Sequence, residues 1–509
     1  MSARRLLAAS AAALTLLATL ASVAAGHAIG QVFTLPVPRI VYFAGAGVAV
    51  AASFVVSVIA LKPAGPVPHY PTRAIGDALA RAASLALAVI GLGWWFGAIA
   101  LGFVVDPISP LPAVLVWIGV WVGLPIAAVL LGNPWPSLSP FRTLMGMLEA
   151  AARRLGVERL DAGLTYPPGL ARWPAVILLF AALWCELVLP GTSEPRSVAL
   201  LLIGYTLVTL IGMIAFGRVA WLRNAELFEV LLGWFGRVGP IGRRVVAPEV
   251  CEGCGEGCDP ERCVDCPECA VAADPGERRA VLRPWFAGLT EVQRAGWSDA
   301  AFIVLALAGV SYDGLKETAF WGSLMRPVFE AFGDAFGALN TVLLVQTGGL
   351  LVVWITFLVA FTAAAWLTRA LHDRDRRVAP LGATAGAYAA TLLPIAGGYL
   401  IAHYLTLVIQ GAVWLPELVA NPLSGAAPNL DFIPTSAVWY LSVAAIVIGH
   451  VVAVVLAHRL ALRDAPRRAV LAGLPLVVLM VCYTVFSLWI IAAPITLEPG
   501  STPAALLLR

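Results

Sequence analysis

Six of the chain's eight cysteines fall within nineteen residues, CEGCGEGCDPERCVDCPEC, at Cys251, Cys254, Cys258, Cys263, Cys266 and Cys269. A C-x2-C pair lets one turn aim two thiolates at one ion, so the pairs 251/254 and 263/266 would supply a tetrahedral all-sulfur site. Cys266 and Cys269 form a third, overlapping pair, which leaves the ligand set open. Gly253, Gly255 and Gly257 give the backbone freedom that such knuckles need. Zinc is the expected ion, because four thiolates suffice for it. An iron–sulfur cluster is the alternative: Cys263-x2-Cys266-x2-Cys269 begins like a ferredoxin run, but Ala270 to Ala273 follow where a fourth Cys-Pro would stand. A closed four-sulfur shell leaves no place for water, so a structural role is expected over a catalytic one. A thiol-rich loop with no fixed metal fits the same residues. Glu252, Glu256, Asp259, Glu261, Asp265 and Glu268 make the segment anionic.

A second group of reactive side chains sits inside or beside apolar runs. His403 lies in AHYLTLVIQG, His450 in IVIGHVV, and Asp313 follows the apolar run that starts near Trp297. Imidazoles at membrane depth face the interior of a helix bundle. They serve as metal ligands, proton carriers or general bases, or else hydrogen-bond to a neighbouring helix without further role. Glu186 and Gln410 are candidates to extend such a site, whereas His458 reads as a boundary residue. Cys185 and Cys482 read as small packing residues. If a leader were removed after Gly26, His27 would present an amine and an imidazole nitrogen suited to copper. No G-x-S-x-G elbow, H-E-x-x-H pair or G-x4-G-K-[ST] loop is present.

The elements that must position these groups follow from composition. The 509 residues are 60% hydrophobic and 12% charged, with net charge +3 and mean hydropathy +0.88. A water-facing surface needs about twice that share of charge. A soluble enzyme, a nucleic-acid binder and a disordered scaffold are therefore excluded. Met1 to Arg5, the apolar run that follows and the small residues near Gly26 read as a signal peptide over 1–26. About ten transmembrane helices are then expected, at 39–61, 84–105, 113–131, 174–190, 198–217, 297–312, 343–367, 384–409, 437–461 and 469–492. The fold class is thus an all-α polytopic membrane protein, with a bundle over 27–217, a loop over 218–296 and a second bundle over 297–509.

Charge sets the orientation. With the mature N-terminus outside, 26 Lys and Arg fall in inner loops and five outside. That places both mature termini outside a bacterial inner membrane and the Cys-rich loop in the cytoplasm, where thiols stay reduced. Within the inner loops, Leu144, Met147, Leu148 and Leu155 form one helical stripe. Phe228, Leu231, Leu232 and Phe235 form another, followed by Arg237, Arg243 and Arg244. Both read as helices lying on the lipid surface. The outer segment 313–341 reads as a partly ordered lid, and no internal repeat is evident.

Several stretches together resemble a known family: TLPVPRIVYFAGAGVAVAASFVV, WVGLPIAAVLLGNPWPSLSPFRTL, YDGLKETAFW, AHYLTLVIQG, VWYLSVAAIVIGHVVAVVLAHRLAL and the LRPWFAGL that follows the cysteines. From about residue 27 to 492 the chain resembles the fenitrothion hydrolase-like bacterial membrane proteins. It departs from their pattern at 133–142, where Pro136 and Ser139 interrupt a Trp-x-x-Leu-Asn-Pro-type run. The resemblance implies a polytopic protein that hydrolyses or handles a small apolar phosphoester, and it assigns no catalytic residues. Three readings follow. A hydrolase would use His403, His450 and Asp313. A transporter would use the same His residues as proton carriers. An anchor would dock a soluble partner through the Cys loop. The partners in every case are the lipid bilayer and, for the first two, a small apolar solute.

Overall fold

The computed structural model describes residues 33–62, 70–246, 264–265, 273, 277–290, 295–372, 379–423, 427–430 and 432–497. The signal segment, His27 and all six clustered cysteines lie outside them. The described helices of seven or more residues are, in chain order, α1 (Arg39–Ala60), α2 (Asp77–Val104), α3 (Leu111–Leu130), α4 (Pro140–Arg154), α5 (Trp173–Leu187), α6 (Pro195–Phe216), α7 (Arg218–Asn224), α8 (Leu227–Phe235), α9 (Trp297–Lys316), α10 (Ala319–Phe336), α11 (Ala338–Ala370), α12 (Leu381–Ala420), α13 (Thr435–Asp464) and α14 (Ala469–Ile495). Nine of them, α1, α2, α3, α6, α9 and α11 to α14, are long and apolar enough to cross a membrane; α5 is a shorter apolar helix. Each expected span therefore falls on a helix, and the chain is a multi-pass helical membrane protein.

Local chemistry fixes several helix starts. Ser139 accepts the Arg142 N–H at 3.3 Å ahead of Pro140, whose missing N–H costs nothing at a first turn. Thr318 caps α10 in the same way through the Trp321 N–H at 3.2 Å. Two helices are irregular: α3 is π-helical over Val114–Gly123, and α12 tightens to a 3-10 turn at Ala390–Leu392. The π segment packs against α12.

The helix with the weakest apolar character is the central one. Over its apolar window α9 is 94% buried and has mean hydropathy 1.3, against 22% and 2.0 for α2. A helix wrapped by α5, α11, α12 and α14 does not face lipid, so it can hold polar side chains that find partners on its neighbours. Small residues allow the close approach: a Cβ on Gly309 would lie 2.6 Å from Leu183, and one on Gly314 would lie 2.5 Å from Ile490.

Segments expected on one side of the membrane meet at one end of the bundle. Strands β2 (Arg73–Ala74), β3 (Ile241–Val245) and β4 (Arg278–Leu282) form an antiparallel sheet in the order β2-β4-β3, with Gly132 bridged to Ile241. Val264 and Asp265, the two residues between Cys263 and Cys266, dock on this sheet. Asp265 pairs with the buried Arg283 at 2.7 Å and accepts the Arg243 N–H at 2.9 Å. A two-residue pairing of β1 (Phe33–Thr34) with β5 (Thr496–Leu497) joins the two ends of the described chain.

Two expectations change. Helix α8 does not lie on a lipid surface: Phe228, Leu231, Leu232 and Phe235 are all buried in protein. Glu226 caps it by accepting the Phe228 N–H at 3.2 Å and the Glu229 N–H at 2.6 Å; it also accepts the Trp135 indole N–H at 2.9 Å, and burial pushes its carboxyl up to about 7. Its apolar residues fit a protein interior as well as a lipid surface, and periodicity alone cannot separate the two. The 313–341 segment is helical where a partly ordered lid was expected, since α9 runs on to Lys316 and α10 follows. Helix α1 packs on both α13 and α14. On α4, by contrast, Met147, Leu148 and Leu155 are exposed, as a lipid-facing stripe requires.

Candidate functional site: a buried ionic cluster on the central helix

Asp313 lies on the last turn of α9 with its side chain 4% exposed. Lys316, one turn on, places Nζ 3.0 Å from Oδ1. Helix α12 supplies two further partners: His403 Nε2 stands 2.9 Å from Oδ2, and the Tyr404 hydroxyl donates to the same oxygen at 2.8 Å. An ionised carboxylate only accepts, so Nε2 of His403 carries a proton and Nδ1 is the nitrogen whose protonation sets the ring's charge. Tyr399 stacks on the His403 ring at 6.0 Å between centroids.

Two more carboxyl groups reach the cluster. Glu186, from α5, accepts the Trp121 indole N–H of α3 and lies within electrostatic reach of Asp313 and Lys316. Glu317 follows α9; burial first, and the Asp313 charge second, push its carboxyl up to about 7 against the opposing pull of His403 and Lys316. Among the described residues named here, three carboxyl groups thus face one ammonium and one imidazole. With all three ionised and His403 protonated, one negative charge is left over. Excess negative charge beside so buried a carboxylate as Asp313 favours an additional proton or a cation on the cluster.

The structure joins His403 and Asp313 but keeps His450 apart. His450 is fully buried on α13, its Nδ1 2.8 Å from the Ile446 carbonyl and its ring 5.7 Å from Tyr483. Gln410 donates to the Pro428 carbonyl at 3.4 Å, and the His458 ring packs edge-on against Phe54. Cys185 is partly buried and Cys482 exposed. Among the described residues, no group of three or more His, Cys, Asp and Glu is arranged to hold a metal ion.

No family model, curated protein or solved structure matches this chain. The site must therefore speak through its own chemistry. Sequence reasoning missed Lys316, Tyr404 and Trp121. For Lys316 a signal existed, since lysine occurs only at positions 62 and 316 and the latter stands three residues from Asp313.

Proposed function

We propose that the chain is a proton-coupled membrane transporter, oriented with its basic loops and Cys-rich segment in the cytoplasm, and that Asp313 and His403 form its proton site. The observation that carries this reading is the gathering of three carboxyl groups, Lys316 and His403 about the buried Asp313 at one end of the central helix. Such a cluster gains or loses a proton when its access or its solute changes, which is what coupling requires. The π-helical segment of α3 and the 3-10 turn in α12 support it, because irregular backbone inside a bundle marks segments that line a pathway.

One observation favours a second reading. A His–Asp pair is also how a carboxylate orients a general base, so hydrolysis of an aryl phosphotriester, as the family resemblance implies, is the alternative. The test uses vesicles holding the full chain and a trapped pH dye, challenged with a potassium diffusion potential, first alone and then with fenitrothion outside. Proton entry that Asp313→Asn abolishes is expected. Proton entry unaltered by that substitution would reject the reading. Release of the nitrophenol product, lost in the same variant, would establish the hydrolase instead. A metal on the cysteine segment, proposed as structural zinc, is assayed separately by elemental analysis.

A further inference from the structure

His450 is one of the most deeply buried titratable groups in the bundle, and the proton site does not use it. A carbonyl only accepts, so the 2.8 Å contact with Ile446 puts a proton on Nδ1 and leaves Nε2 as the lone-pair nitrogen of the neutral ring. Nε2 has no protein hydrogen-bond partner among the described residues, and neither has the hydroxyl of Tyr399, whose residue is 1% exposed. A buried polar atom left unpaired is costly, a cost that ordered water removes.

Both residues belong to one aromatic run whose ends are His403 and His450. The Tyr399 ring stacks on His403 and lies 6.4 Å from Tyr483, which in turn lies 5.7 Å from His450. Ser311, on α9 beside Asp313, donates its hydroxyl proton to the Leu307 carbonyl at 2.7 Å. Its 2.6 Å contact with the Tyr483 hydroxyl must therefore take a proton from Tyr483, which fixes the direction of that bond. The rings of Tyr399 and Tyr483, on α12 and α14, thus link His403 to His450, and the Tyr483 hydroxyl reaches Ser311 of α9.

We infer that Tyr399, Tyr483 and Ser311, bridged by water, form a proton path from the Asp313–His403 pair to His450. This rests on the proton-site reading and extends it inward from the end of α9. In the transfer, one proton leaves the cluster and adds to the Nε2 lone pair, giving an imidazolium at His450. The water bridge shifts its O–H bonds by one place and is restored, so nothing is oxidised or reduced. The charged and titratable groups facing the path are Asp313 and Lys316 of α9, Glu317 beyond it, Glu186 of α5, His403 and Tyr404 of α12, and Tyr483 of α14.

Two measurements test it on the full chain in lipid vesicles. The first follows exchange of the His450 imidazole proton with water by NMR of nitrogen-15 histidine. Tyr399→Phe and Tyr483→Phe keep the rings and remove the hydroxyls, and each should slow exchange at least tenfold. Exchange at the wild-type rate in both would overturn the path. The second follows proton entry under a potassium diffusion potential. A loss of at least tenfold is expected in His450→Gln and in Tyr399→Phe, matching the direction of Asp313→Asn. Loss in Asp313→Asn with wild-type entry in the other two would overturn the path and leave the proton site standing. Wild-type entry in all three would overturn both.

Discussion

The two ends of α9 each carry a buried aspartate, and they solve the same problem differently. Asp299, in the first turn, has one cationic partner, Arg172, whose guanidinium also donates to the Arg223 carbonyl at 3.3 Å. Its second oxygen accepts the Gly296 N–H at 2.9 Å and closes the helix start. One carboxylate meets one guanidinium, and the charges balance. Fourteen residues on, Asp313 shares its neighbourhood with Glu186 and Glu317 as well as Lys316 and His403. A matched pair holds a fold together whatever the pH near neutrality, whereas an unmatched cluster must exchange protons. The comparison separates a structural end from a functional one on a single helix.

The largest effect should come from breaking the matched pair. Arg172→Ala leaves Asp299 charged, buried and without its guanidinium, which costs about 3–5 kcal/mol. Thermal unfolding in detergent should show a steep loss, and Asp299→Asn a smaller one because the amide still accepts from Gly296. A fall of under 1 kcal/mol in Arg172→Ala would remove the basis for calling this end structural.

At the other end the ordering of readouts should invert. Asp313→Asn is expected to cut proton entry at least tenfold while shifting stability by only about 1 kcal/mol, since it relieves carboxyl crowding as it loses charge-assisted bonds. Asp299→Asn, measured per folded molecule, should keep proton entry within twofold. If both asparagine variants lose proton entry alike, the two ends do not differ in the way argued.

Much of this fold was legible because lipid imposes it. A run of some twenty apolar residues has few alternatives to a spanning helix, so ten segments were found with boundary errors of a few residues. The same rule misjudged α9. Its low hydropathy reads as a marginal span ending at Tyr312, although the reason is its central position. Asp313 and Lys316 looked like a loop and instead extend the helix by a turn, because they neutralise each other at i and i+3. His403 and Asp313 were legible as separate candidates, ninety residues apart; nothing in either segment encodes their contact. The buried α8 shows the converse, where one apolar pattern serves two environments.

Packing at the functional end offers a third test, of intermediate size. Gly314 follows Asp313 directly, and an added Cβ would stand 2.5 Å from Ile490 and 3.0 Å from the Tyr399 hydroxyl. Gly314→Ala should cost about 1–3 kcal/mol through forced repacking. It should also shift the pH midpoint of proton entry, because Tyr399 stacks on His403. A stability loss with an unmoved midpoint would show that α9 and α12 hold the cluster independently of this contact.

The smallest effect, and the most specific, is the pH dependence of stability at Glu317. Its carboxyl stands raised from an ordinary value near 4.5 to about 7. A raised acid binds more protons folded than unfolded across that window, so the folded state loses stability as pH rises from 4.5 to 7 and levels off above it. Glu317→Gln removes the titration and should flatten the thermal unfolding midpoint over the same interval. If the slope persists in Glu317→Gln but vanishes in Asp313→Asn, the exchangeable proton belongs to Asp313 and its partners rather than to the carboxyl at their edge. That result would sharpen the contrast between the two ends of α9 to a single residue.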